Sequence, residues 1–201
     1  TRNRIFLDRC RGTGRVTRED AVDLGFTGPC LRASGQAYDV RKAAPYLVYD
    51  RVEFDVPVGS NGDNFDRYAV RMEELVQSDR IVRQCLAQLP PGEIAIDDVR
   101  YVLPPKPLVY GTIEALMGHF KLVMEGVKVP AGEAYSYTEA ANGELGFYLV
   151  SDGGGRPYKI GVRSPGWPMT AALGHMVKGS LLADLVPTFD TINMIGGEVE
   201  Q

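Results

Sequence analysis

Cysteine and histidine are scarce in this chain of 201 residues, which has three cysteines (Cys10, Cys30, Cys85) and two histidines (His119, His175). A metal centre needs such ligands in close sets, and the sequence contains neither C-x-x-C nor H-E-x-x-H. An odd number of widely spaced cysteines argues against a disulfide framework and fits a reducing compartment. No stretch approaches the roughly 18 apolar residues of a membrane span, and none reads as a signal peptide. A membrane role would therefore come through a partner. Nucleotide loops are missing as well. There is no G-x-x-x-x-G-K-[ST] run, and RGTGRVT carries Thr17 where a dinucleotide fingerprint needs its last glycine. SDGGGRP lies between two strand patterns and reads as a hairpin turn. No G-x-S-x-G elbow or Ser-His-Asp spacing points to a hydrolase.

What is present is ordinary for a globular protein: 44 % hydrophobic residues, 24 % charged residues and a net charge of −4. That balance excludes the chain as a whole from nucleic-acid binding. Arg2, Arg4, Arg9, Arg11, Arg15 and Arg18 cluster near the start; they fit a solvated or partner-facing loop, with a specific anion site as the alternative. The length suits one domain with a real core. Thr17 to Asp20 (TRED) looks like a capped helix start. Asp39 to Pro45 fits one helical turn. Val52 to Val58 alternates and predicts a short extended segment that Pro57 keeps at an edge.

Asp63 to Leu89 is the strongest helix. Phe65, Tyr68, Met72, Leu75, Val82, Leu86 and Leu89 fall on steps of three and four, predicting one buried face and an exposed Gln77. Asp63 with Arg67 and Asp79 with Arg83 are favourable i,i+4 pairs. Ile94 to Leu108 is proline-rich and extended. A second helix, Thr112 to Glu125, is expected to bury Ile113, Leu116, Met117, Phe120, Val123 and Met124. Glu133–Ala140 and Glu144–Val150 flank an Asn-Gly pair, a hairpin signal. Tyr158–Arg163 is a third strand, and Pro168–Lys178 and Ser180–Phe189 are further helices. The fold class is thus α+β, mainly α: a long-helix bundle with a small antiparallel sheet.

Charge is concentrated in the stretch 51–74, where Arg51, Glu53, Asp55, Asp63, Asp66, Arg67, Arg71, Glu73 and Glu74 sit beside apolar positions. Such a set can be a structural ion network or a coupled proton-transfer network. Asp79 lies on the apolar seam and either pairs with Arg83 or faces a partner or water. His119, next to Phe120, fits a satisfied helix histidine, with proton handling as the alternative. Cys85 lies beside the seam of the long helix and fits a small buried hydrophobe.

The run from Leu31 to Leu86 contains LRASG, YDVRK, PYLVYD, FDVPVG and GDNFDRYAVRMEE in that order. This succession resembles the D subunit of the bacterial NADH-quinone oxidoreductase, respiratory complex I, and the resemblance continues to Gln201. Family members are about twice as long and read NNRIW where this chain reads TRNRIF. The resemblance therefore implies that residues 1–201 are the C-terminal half of the D-subunit domain, a fold similar to the large subunit of nickel–iron hydrogenases. Those enzymes hold metal on two C-x-x-C pairs, one near the C-terminus. The tail here, NMIGGEVEQ, has no cysteine, so the expectation is a chain with no metal.

The resemblance implies a subunit of a proton-translocating NADH:quinone oxidoreductase, itself binding no cofactor and inactive in isolation. Quinone would lie at an interface of the parent subunit, with flavin and iron–sulfur clusters in partners. The implied partners are the cluster-bearing B subunit, the C subunit and the membrane subunit at the quinone entrance. The implied location is the cytoplasmic face of the bacterial inner membrane. The family's headgroup-contacting histidine and tyrosine belong to the other half, so no catalytic residue is assigned here. The tail residues Asn193, Met194 and Ile195 are the candidate quinone-pocket residues, against a tail that merely packs. Relatives usually carry aspartate where Asn193 stands; asparagine keeps the shape but cannot titrate. The alternatives are a pure assembly scaffold, or a related complex fed by ferredoxin or a reduced deazaflavin.

Overall fold

The computed structural model describes residues 3–200; Thr1 and Arg2 of the basic cluster and Gln201 of the tail lie outside the described residues. In chain order the helices are α1 (Arg4–Cys10), α2 (Arg18–Asp23), α3 (Gly28–Ala33), α4 (Val40–Ala43), α5 (Asn64–Ala87), α6 (Lys106–Gly111) and α7 (Ile113–Met124). Strands β1 (Gly132–Ala140), β2 (Gly143–Ser151) and β3 (Lys159–Arg163) follow, then α8 (Gly166–Ala171), α9 (Leu173–Val177) and α10 (Leu185–Ile192). The strands lie side by side in sequence order, and their short connections make the sheet antiparallel. The chain divides into two compact units: Thr1–Gln88 with Tyr137–Gly146 and Arg163–Gln201, and Leu89–Ser136 with Phe147–Val162.

In the first unit, local chemistry starts the helices where the sequence predicts. Thr17 caps α2 through the Asp20 amide, Asp39 caps α4 through Arg41, and Asp63 caps α5 through Asp66. Two helices go beyond the sequence expectation: α1, and α3, which has Gly28 and Pro29 in its first turn. The expected helix 168–178 is divided at Ala172 into α8 and α9, and 180–189 becomes a 3₁₀ turn followed by α10. The main core gathers Val16, Ala21, Phe26, Cys30, Leu31, Met169, Ala172, Met176 and Ile192. α5 packs against α1, α3 and α10.

The buried face of α5 is not the predicted one. Met72, Leu75, Val82, Leu86 and Leu89 are 47–73 % exposed, whereas Asn64, Asp66, Arg67, Val70, Gln77 and Ile81 are buried. At 3.6 residues per turn the exposed set forms one stripe and Asp66, Arg67, Val70, Gln77 and Ile81 form another, roughly 130° around the helix from it, while Asn64 in the first turn lies off that second stripe. The inward stripe mixes Val70 and Ile81 with polar side chains that serve the backbone around them. Segment 52–58 alternates buried and exposed over residues 52–55 but joins no sheet. Instead Gln77 Oε1 accepts from the Asp55 amide at 3.0 Å, Gln84 Oε1 accepts from the Glu53 amide at 2.9 Å, and Gln84 Nε2 donates to the Glu53 carbonyl at 2.7 Å. These glutamines tether the segment to α5, and Val52 and Phe54 pack on Ile81 between them, with half-buried Cys85 against the same cluster.

In the second unit, α6 begins within the stretch expected to be extended, with Pro107 in its first turn. Thr112 caps α7 through Ala115, and Gly126, at φ +72°, follows its last turn. The expected buried face of α7 is at the surface: Ile113, Leu116, Met117, Phe120, Val123 and Met124 are 47–75 % exposed. Among the described residues Val109 is the one buried hydrophobic of this unit, so the apolar periodicity of α7 marks a face that the described residues of this unit leave exposed.

Candidate functional site

The charged stretch 51–74 does not close into a single ion network. Glu53 and Asp55 are exposed and share Arg80 at 3.6 and 3.1 Å. Arg51 is exposed. Asp79 is also at the surface and holds Arg83 at 2.7 Å, as the i,i+4 spacing predicts. The Asp63–Arg67 pairing is not made by side chains. Asp63 caps the helix and accepts from the Gly12 amide at 2.8 Å, while Arg67 turns inward. Its guanidinium, fully buried, donates to the carbonyls of Gly62 at 2.9 Å and Gly14 at 2.6 Å, to Asn64 Oδ1 at 2.5 Å and to Thr191 Oγ1 at 3.1 Å. Burial pulls Arg67 below its ordinary value; carbonyl and amide dipoles take the place of water around the charge. Asp66 accepts from the Ser60 and Asn61 amides at 2.8 and 2.6 Å. Desolvation pushes its carboxyl up, but these N–H bonds outweigh it and hold it below the usual carboxylate range. Arg71 reaches the carbonyls of Arg67 and Ile192 at 3.2 and 3.4 Å and lies 3.6 Å from Cys30 Sγ.

The buried ion cluster forms elsewhere, around Arg32 of α3. This side chain is 1 % exposed and contacts Glu74 of α5 at 2.6 Å, Glu139 of β1 at 2.8 Å and Asp39 at 3.7 Å. It also donates to the Tyr38 carbonyl at 2.9 Å. Asp39 in turn holds Arg41 at 2.6 Å, and Glu139 accepts from the Val40 amide at 3.2 Å. Desolvation would lower Arg32, but Glu74 and Glu139 outweigh it and hold the charge on. Desolvation raises Glu139 despite Arg32, with Asp39 adding to the rise. Nearby, Tyr38 donates to Glu144 at 3.1 Å, and burial with that carboxylate pushes the phenol up to about 12. LRASG and YDVRK supply Arg32, Asp39 and Arg41, but Glu139 lies 107 residues from Arg32 in sequence. No local pattern could have joined them.

The tail residues sit on the same structural unit, at the β1–β2 turn formed by Ala141 and Asn142. α10 ends at Asn193 in the left-handed conformation, φ 59° and ψ 44°, which asparagine tolerates better than other side chains bearing a Cβ. Asn193 Nδ2 donates to Asn142 Oδ1 at 2.6 Å. Asn142 Nδ2 donates back to the Asn193 carbonyl at 2.9 Å and to Glu198 Oε1 at 3.3 Å. Met194 packs against the main core, whereas Ile195 is 56 % exposed. The turn itself is seated tightly. Gly28, at φ +63°, and Gly143 pack backbone to backbone where either Cβ would collide. Thr27 Oγ1 accepts from the Glu144 amide at 3.1 Å and from Arg163 at 3.0 Å.

Among the described residues no group of three His, Cys, Asp or Glu side chains is placed to hold a metal ion, and no helix is long and apolar enough to cross a membrane. His175 is exposed, 3.7 Å from Asp20; His119 is half-buried on α7.

The model of the family described as respiratory-chain NADH dehydrogenase, 49 Kd subunit, matches residues 1–201. Among curated proteins, the second of the NADH-quinone oxidoreductase D subunits of Anaeromyxobacter sp. (strain K) is 78 % identical over 200 residues, covering 100 % of this chain and 46 % of the relative. The D subunit of Myxococcus xanthus is 65 % identical over 201 residues, 100 % of this chain and 48 % of its own length. A protein of Bdellovibrio bacteriovorus, named as the C/D subunit of NADH-quinone oxidoreductase, is 50 % identical, covering 99 % of this chain and 36 % of the relative. The chain spans about half the length of the curated D-subunit relatives it matches. With a family match along every residue and the motifs from Leu31 to Leu86 in register, the chain belongs to the 49 Kd subunit family of the respiratory-chain NADH dehydrogenase.

Proposed function

We propose that this chain works as part of the D subunit in the peripheral arm of a proton-translocating NADH:quinone oxidoreductase, and that Asn193, Met194 and Ile195 form part of the wall of the quinone pocket. The observation that carries the pocket reading is the tail's construction. Met194 is anchored in the core and Asn193 is clamped to the hairpin turn, yet the next side chain, Ile195, presents an apolar surface to the outside. A fixed backbone displaying an exposed branched aliphatic group suits one wall of a site for a lipid-like ligand. In this reading the chain holds no redox group. Flavin and the iron–sulfur clusters reside in partners, the terminal cluster in the B subunit, and the membrane subunit at the quinone entrance completes the site. The C subunit is a further neighbour, in keeping with the relative whose name joins C and D. The chain would then lie peripherally on the cytoplasmic face of the inner membrane, and alone it would not turn over.

The test is Ile195→Met in the assembled complex. NADH-to-quinone activity and inhibitor sensitivity should change several-fold while transfer to an artificial acceptor that bypasses the pocket stays as in the parent. Unchanged quinone kinetics and inhibitor sensitivity in a fully assembled variant would remove the tail from the pocket. A second reading, assembly alone, draws on the exposed apolar stripes of α5 and α7. It predicts that Ile195→Met is silent while Leu75→Lys or Phe120→Lys lowers the yield of complex.

A further inference from the structure

Asn142 is not among the candidate residues of the sequence, yet it is the side chain that meets the tail at most points. It is 3 % exposed at the tip of the β1–β2 hairpin. Its amide exchanges two hydrogen bonds with Asn193, one through each residue's Nδ2, and its second donor contact is Glu198 in the following 3₁₀ turn. The residues between these two contacts, 194–197, are therefore held at both ends by one side chain. The opposite end of the hairpin contact is equally determined. Gly28 against Gly143, Thr27 on the Glu144 amide, and Arg163 on the Glu144 carbonyl at 2.6 Å leave the turn little freedom to follow a moving tail. Glu198 Oε2 is buried against Gly166, where a Cβ would collide with it, and takes no hydrogen bond among the described residues, so the bond from Asn142 to Oε1 is the one that holds this carboxylate.

We propose that Asn142 is a positioning residue for the quinone-pocket wall: a neutral amide clasp that fixes the course of residues 193–198 and thereby the placement of Ile195. This rests on the pocket reading above. The chemistry of the clasp is specific. Asn193 must donate to Asn142 Oδ1 while Asn142 donates to the Asn193 carbonyl, so each residue needs an amide and neither can be a carboxylate. An aspartate at 193 would set a carboxylate oxygen against Asn142 Oδ1. Turning the Asn142 amide over would meet that oxygen, but would then face Asn142 Oδ1 toward the Asn193 carbonyl and Glu198, two acceptors. A cation at 142 paired with aspartate at 193 would remake the link by charge.

The experiment uses the assembled complex with Asn142→Ala, Asn193→Asp and the double variant Asn142→Lys/Asn193→Asp. Hydrogen–deuterium exchange over residues 194–198 reports the clasp, and quinone KM beside the artificial-acceptor rate reports the pocket. Asn193→Asp removes the one bond that Asn193 Nδ2 donates, and Asn142→Ala removes that bond and both bonds from Asn142 Nδ2; the first should speed exchange of the tail about tenfold and the second by more, and both should raise quinone KM without changing the artificial-acceptor rate. The double variant should restore both. Tail exchange that stays as in the parent in Asn142→Ala would overturn the clasp. Faster exchange with unchanged quinone KM would overturn the pocket placement while leaving the clasp standing, so the two failures are distinguishable. Should Asn142→Ala not assemble, the nearly isosteric Asn142→Asp, which loses both bonds donated by Asn142 Nδ2, carries the same test.

Discussion

Replacing Arg32 by methionine should be among the most damaging single substitutions in the first unit. The guanidinium is the shared partner of Glu74 and Glu139, with Asp39 at the edge of reach. Methionine fills much of the volume but leaves Glu139, 3 % exposed at its side chain, with the Val40 amide as its carboxylate's hydrogen-bond donor and the more distant Arg41 as the cation acting on it. Asp39 keeps Arg41, and Glu74 is partly solvated, so one carboxylate bears most of the loss. Removing one partner of a buried pair costs roughly 3–5 kcal/mol, because the remaining charge is stranded rather than because the pair was strong. Glu139→Gln is the control. It leaves a neutral side chain where burial already favours the neutral acid, and Arg32 keeps Glu74; the cost should be about 1–2 kcal/mol. The sign with pH follows from linkage. Without Arg32 the folded-state pKa of Glu139 rises further above its unfolded value. The folded chain then binds protons more readily, so the defect of Arg32→Met should shrink on acidification through that raised range. Denaturant titration followed by far-UV circular dichroism at neutral and mildly acid pH measures all three quantities. A loss for Arg32→Met no larger than that for Glu139→Gln, or a defect that grows on acidification, would refute the reasoning.

On α5, Leu75→Ala should cost under about 0.5 kcal/mol because the side chain is at the surface, while Gln77→Ala should cost about 1 kcal/mol by stranding the Asp55 amide; the same titration checks the order. Asp66 stabilises the fold only as a carboxylate held below its ordinary value. Its contribution is fully present above the usual carboxylate pKa of about 4 and is lost as pH falls through the depressed folded value. Asp66→Asn should remove that part of the acid dependence in a pH-unfolding series. The purified chain should self-associate through the apolar faces of α5 and α7; light scattering at high concentration should show species larger than a monomer, and Leu86→Lys with Phe120→Lys should reduce their mass.

Features that arise between near neighbours were legible from the residues alone. Thr17, Asp39, Asp63 and Thr112 each bond an amide two or three positions ahead, so the helix starts are written locally, and the strands of the hairpin flank the turn expected of them. The order of motifs from Leu31 to Leu86 likewise identifies the family without reference to packing. Which side of α5 faces inward was decided by tertiary structure. Periodicity shows that Leu75 and Leu86 share a stripe, but not whether this chain covers it, and the side it does cover is lined by Arg67 and Gln77, which carry hydrogen bonds to loops 14, 55 and 62. Arg32 meets Glu139, and Asn142 meets Asn193, across sequence separations of 107 and 51 residues. A polar side chain announces that it needs a partner, since burial without one is costly; which partner it finds depends on how the chain folds back, and only the folded chain supplies that.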